Sequence, residues 1–213
     1  MNRALATAGV VTRGTYEILR RARPGLGART NRAGRTVHLC AGPAAALGTA
    51  AALATGAAPA RHRAAGALAV LAAGACGAYD DAAGDHRRGF HAHLGALRAG
   101  EVTSGTVKLV GITTTALAAG ALLKDKPLDR FLAGVVIAGS AHAVNLLDTR
   151  PGRAAGAVLA LAAGGALRGA GRPAAAPLGA AAALLADDLA QRTMLGDTGA
   201  HALGAGLGPV SYT

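Results

Sequence analysis

Three short acidic motifs carry the residues best suited to chemistry: Asp80 and Asp81 in Ala78-Tyr79-Asp80-Asp81, Asn145 and Asp148 in Asn145-Leu146-Leu147-Asp148, and Asp197 in Leu195-Gly196-Asp197-Thr198-Gly199. Their amide and carboxylate oxygens suit a hard cation such as Mg²⁺. Each motif lies at or just beyond the end of an apolar run. An ionised carboxylate so near hydrocarbon is costly unless it is paired or bound to a cation. Asp80 and Asp81 project about 100° apart on a helix, so one can face a cleft while the other fixes a basic group. Asp197, flanked by Gly196 and Gly199, sits on backbone able to turn tightly and approach a phosphate or a metal. Together they suggest a metal site handling a diphosphate. Taken singly, each Asp reads equally well as a residue that ends a span at the water interface; their joint placement is what favours a site.

The elements that must position these residues are apolar helices. Segments near 38–59, 64–79, 104–123, 129–147, 154–168 and 173–189 approach the roughly 20 residues needed to cross hydrocarbon, and the shorter ones require tilt or local thinning of the bilayer. Residues 4–20, interrupted by Arg13 and Glu17, form a poor first span or an interfacial helix and lack the features of a signal peptide. The expected fold is therefore all-α, a polytopic transmembrane bundle of about seven spans, with residues 1–213 forming a single integral membrane domain.

Composition agrees with that frame. Hydrophobic residues make up 52% of the chain, aromatics only 2%, and there are 32 Gly and no Trp. Small residues let membrane helices approach closely and favour dimerisation through Gly and Ala faces, although a GC-rich genome also enriches Ala, Gly and Arg. The net charge of +11 does not indicate nucleic acid, because a binder would gather its basic groups on one patch and add stacking aromatics. Here the basic residues fall between apolar runs. Alternating the spans places Arg20, Arg21, Arg23, Arg29, Arg32, Arg35, Arg87, Arg88, Arg98, Arg150, Arg153 and Arg192 on one side, against seven Lys and Arg on the other. The positive-inside rule makes the first side cytoplasmic. The same alternation, drawn without reference to the acidic motifs, puts all three of them on that side.

The ordered motifs resemble those of the polyprenyl-phosphate N-acetylhexosamine-1-phosphate transferase family, which includes the phospho-MurNAc-pentapeptide translocases. The matching pieces are TNRAGRTVHLCAGP at 30–43, GAYDD at 77–81, VTSGTVKLVGI at 102–112, AVNLLDTRPGRA at 143–154 and MLGDTGAHALGA at 194–205. The resemblance implies an integral plasma-membrane enzyme that transfers a sugar 1-phosphate from a UDP-sugar to a polyprenyl phosphate at the cytoplasmic face, releasing UMP, with Mg²⁺ as cofactor. It implies that Asp80 deprotonates or positions the lipid phosphate with Asp81 as its partner. By the same likeness Lys108 contacts phosphate, Asn145 and Asp197 surround Mg²⁺, and Asp148 occupies a polar position of the nucleotide site. The pattern departs at Pro151, where the family carries an acidic or amide residue associated with uracil recognition and proline offers no side-chain acceptor. The family form expected here is shortened at its C terminus. The alternative is a non-catalytic relative acting as an assembly or lipid-binding partner in envelope synthesis.

The remaining polar residues have plainer readings. Arg87 and Arg88 suit anionic lipid headgroups. His91 and His93 read as a solvated loop, and His38, His142 and His201 as local hydrogen-bonding groups. Asp187 and Asp188 close the preceding span. Cys40 and Cys76 have no CxxC or Cys/His spacing and serve as small apolar fillers.

Overall fold

The computed structural model describes residues 2–31, 33–84 and 95–209, and these are mostly helical. The first helix, α1 (Asn2–Ala22), ends in Arg20 and Arg21, which suit the negative end of the helix dipole. Glu17 supports it with ion pairs to Arg13 at 2.5 Å and Arg20 at 2.8 Å. The basic linker that follows folds into a short hairpin, in which β1 (Arg29–Thr30) pairs antiparallel with β2 (Thr36–Val37). Asn31 Oδ1 shapes its turn by accepting the backbone N–H groups of Ala33 and Arg35 at 2.9 and 3.0 Å, a local bond that Asn makes readily. Beyond it, His38 bridges to Thr193.

Five helices then cross the molecule: α2 (Ala41–Thr55), α3 (Ala60–Ala83), α4 (Ser104–Leu123), α5 (Pro127–Leu147) and α6 (Arg153–Gly165). Thr103 caps α4, its side chain accepting the Thr106 N–H at 3.2 Å, and a proline opens α5, where its missing N–H is no loss. Through Ala166–Ala170 the chain kinks at Gly169, whose φ of 101° is not helical, and leads into α7 (Gly171–Leu189). Last comes α8 (Gly196–Leu207), against α2, α3, α5 and α7. At about 1.5 Å per residue it is far too short to cross a bilayer. It is the centre of the bundle: every one of its residues except Asp197 is buried.

The core is built largely from alanine, with few large side chains among its buried residues. Glycine lets backbones take up the slack. A Cβ on Gly120 of α4 would come within 2.7 Å of Gly134 N on α5, so those helices touch backbone to backbone, as small residues permit between membrane helices.

Among the described residues two helices are long and apolar enough to cross a membrane: Ser104–Leu123 and Pro127–Leu147, with mean hydropathy of 1.5 and 1.4. Only 22% and 33% of their apolar stretches are buried within the molecule. Val107, Val110, Leu122, Leu128, Phe131 and Val135 instead point outward, an apolar surface of the kind that marks contact with a membrane or a partner. The expected bundle of about seven spans is thus reached in part. α2 is apolar but has 15 residues, and the apolar run expected at 154–168 leaves α6 at Gly165 and enters the kinked segment Ala166–Ala170.

Candidate functional site

At one end of the bundle, α3 and α5 finish while α4 and α8 begin. Gly77 makes the closest of these approaches possible: a Cβ there would lie 2.7 Å from Thr198 N, so any larger residue would push the last turns of α3 away from the first turn of α8. Chain turning at Gly196, with φ of 61°, supplies the other half of the junction, in a backbone region that glycine enters without strain.

The adjacent aspartates of α3 diverge as helical geometry requires. Asp80 Oδ2 accepts a hydrogen bond from Lys108 Nζ at 2.7 Å, and the same ammonium donates to Asp197 Oδ2. One lysine on α4 therefore joins carboxylates from α3 and α8. All three side chains are only partly screened, with exposures of 15% for Lys108, 18% for Asp80 and 26% for Asp197. Charge-assisted hydrogen bonds of this type are the strong ones.

Asp81 does something different. Its carboxylate accepts from Asp197 N at 3.2 Å, from Thr198 N at 2.9 Å and from Thr198 Oγ1 at 2.6 Å. The N-cap residue of α8, Leu195, has no capping side chain, so Asp81 satisfies the orphan N–H groups of that helix from another element and matches its positive dipole end. Arg29, from the hairpin, lies 3.6 Å from Asp81 Oδ1 and donates to its backbone carbonyl. The basic linker is in this way fastened over the site.

Asp148, immediately after α5, stands beside the same helix start. Burial, with the neighbouring carboxylates of Asp188, Asp197 and Asp81, pushes its carboxyl up to about 7 despite the Gly196 backbone N–H that it accepts. Asn145 is half-buried one turn earlier, at a spacing that places the two side chains on one helix face.

The donor chemistry of Asp197 and Asn145 fits Mg²⁺, which is commonly held by one or two protein oxygens together with substrate phosphates. The acidic excess around Asp148 favours a cation as well. Among the described residues there is no group of three or more His, Cys, Asp and Glu side chains arranged to hold a metal, and Lys108 is the cation that bridges Asp80 and Asp197.

The structure also places the secondary candidates. Asp187 pairs with Arg13 at 2.5 Å and Arg192 at 2.8 Å, tying α1 to α7. Asp188 accepts the Gly152 N–H at 3.0 Å and so anchors the start of α6. His201 Nδ1 bonds the Asp197 carbonyl at 2.7 Å, and its ring meets that of His142 edge-on at 5.2 Å. The backbone carbonyl of His38 accepts from Thr193 Oγ1 at 2.7 Å. Cys40 is buried and Cys76 half-buried, and both are free thiols. Arg32, Arg87, Arg88, His91 and His93 lie outside the described residues. Arg29 and Thr198 read from sequence only as a linker arginine and a member of the Leu195–Gly199 motif; their roles at the site depend on partners 52 and 117 residues away, which no local spacing signals.

Compared with known proteins, the chain matches no family model and no curated protein. The molecule stands as a helical protein with two helices fit to cross a membrane and a cluster of carboxylates organised around one lysine at a helix junction.

Proposed function

We propose that the chain is a polytopic membrane protein of about seven spans that transfers a sugar 1-phosphate from a UDP-sugar to a polyprenyl phosphate on the cytoplasmic face of the plasma membrane, releasing UMP. The observation that carries this reading is the convergence of Asp80, Lys108 and Asp197 from three helices. The motif resemblance supplies the substrates, and the positive-inside bias supplies the orientation.

In that reaction an oxygen of the polyprenyl phosphate attacks the β-phosphorus of the UDP-sugar. The bond from that phosphorus to the bridging oxygen breaks, UMP departs with the oxygen, and a polyprenyl diphosphate sugar remains. Such in-line transfer depends mainly on positioning and electrostatics. Asp80 orients the lipid phosphate or takes its proton. Lys108 trades carboxylate contacts for phosphate oxygens and stabilises charge developing on UMP. Asp197 and Asn145 would hold Mg²⁺, which supplies shielding between the two anions. Asp81 keeps the first turn of α8 in place, and Asp148 offers a polar contact to the nucleotide.

A second reading, a non-catalytic assembly or lipid-binding partner in envelope synthesis, is favoured by two observations: Lys108 is already satisfied by Asp80 and Asp197, and Pro151 stands where a uracil-recognising side chain is expected. Membranes carrying the chain, supplied with UDP-GlcNAc labelled in the sugar, undecaprenyl phosphate and Mg²⁺, separate the two. Label passing into organic-extractable lipid supports transfer; label remaining aqueous beside a working control enzyme supports the second reading.

A further inference from the structure

The helix ends remote from Asp80 and Asp197 enclose a cavity of about 990 Å³, near the top of the range of ligand-binding pockets. It lies among the first turns of α1 and α3, the ends of α2 and α4 and the start of α7. Arg3, His62, Arg63 and Lys124 bring basic groups to its wall, and Leu53 and Leu123 bring apolar ones. No acidic side chain is among the described residues that line it. Asp125, close by in sequence, is engaged elsewhere, in an ion pair with Arg61 at 2.8 Å.

Arg63 and His62 have little to hold inside the molecule. Arg63 reaches the Gly56 carbonyl at 3.5 Å, the outer limit of a hydrogen bond, and the Nε2 of His62 is buried with no hydrogen-bond partner. A half-buried arginine such as Arg63 is costly near hydrocarbon unless an anion pairs with it. A ligand that restored the balance would carry a negative head and an apolar body. A free inorganic anion would satisfy the arginines but leave the Leu53 and Leu123 side empty.

We propose that this cavity binds an anionic phospholipid of the leaflet opposite Asp80, its phosphodiester against Arg3, His62 and Arg63 and its acyl chains along Leu53 and Leu123. The proposal rests on the membrane reading and is independent of sugar-phosphate transfer. A ligand that binds the folded state alone stabilises it by mass action, so binding is read as a shift in melting temperature.

The test uses the full chain in neutral detergent, melted with phosphatidylglycerol, with phosphatidylcholine and with free glycerol 1-phosphate. Phosphatidylglycerol is expected to raise the melting temperature and the other two to leave it unchanged. The rise should vanish in the double variant Arg3→Gln/Arg63→Gln and persist in Arg61→Gln, which removes a neighbouring charge outside the cavity. Equal protection by phosphatidylcholine or glycerol 1-phosphate, or protection that survives the double variant, overturns the proposal. Should the double variant not fold, native mass spectrometry of the unaltered chain decides: phosphatidylglycerol retained in preference to phosphatidylcholine supports the site, and equal retention of both overturns it.

Discussion

Asp81 and Thr198, 117 residues apart, are joined twice: the carboxylate accepts the Thr198 N–H at 2.9 Å and its hydroxyl at 2.6 Å. A side chain at the end of α3 thereby does the work of an N-cap for the central helix α8. Asp80, its neighbour, is left to hold Lys108.

This division of labour separates the two aspartates by experiment. Asp81→Ala strips two backbone donors and a hydroxyl of their acceptor and should cost about 1–3 kcal/mol of stability. Asp81→Asn, which keeps an acceptor, should cost less. Thermal melting of the purified variants checks both. An Asp81→Ala protein that melts like the unaltered chain would contradict the capping role.

Gly77 lies at the same junction. Gly77→Ala places a methyl 2.7 Å from Thr198 N, and overpacking of this kind costs roughly 1–3 kcal/mol. Gly139→Ala, on α5 with open space around the added carbon, should be neutral or stabilise by up to about 1 kcal/mol, since Ala is the better helix former. Equal melting of the two variants would show that the approach of α3 to α8 is not tight.

Asp148 gives the molecule a pH dependence of definite sign. Its carboxyl titrates near 7 in the folded protein and near 3.9 when unfolded. The folded state therefore binds the proton more tightly, and this contribution is complete below about pH 4 and lost as the pH rises through 7. Without divalent cation, the unaltered chain should lose stability over that interval relative to Asp148→Asn. Parallel melting profiles for the two would contradict the assignment.

The helices were legible in unequal measure. The run expected at 104–123 coincides with α4 (Ser104–Leu123), and that at 129–147 falls within α5 (Pro127–Leu147), because long, predominantly apolar stretches bounded by a capping Thr or a Pro leave few alternatives. α8 was invisible: its 12 residues, glycine-rich and carrying Asp197, give no spanning signal, and its burial comes from the neighbours that surround it. The hairpin at β1 and β2 escaped for a related reason, since strands of two residues have no periodicity to detect. The acidic motifs were legible as a set, whereas the bridge formed by Lys108 across separations of 28 and 89 residues and the turn of Asp81 towards α8 belong to the fold.

The orientation of the bundle has its own test. With the native thiols replaced, Thr149→Cys and Lys126→Cys place single cysteines on opposite ends of α5. A membrane-impermeant maleimide applied to intact cells should label the cysteine at 126 and spare that at 149 until the cells are opened. The reverse pattern would contradict the cytoplasmic placement of the acidic motifs.

The central claim is that Asp80 belongs to a working transferase site. The most direct measurement is release of UMP from UDP-GlcNAc by the purified chain with undecaprenyl phosphate and Mg²⁺, compared with Asp80→Asn of equal melting temperature. Release that requires both lipid and metal, and that falls by about 10²-fold or more in the variant, is the expected result. Folded protein that releases no UMP beside an active control enzyme, or a variant that releases it at the unaltered rate, would contradict the claim.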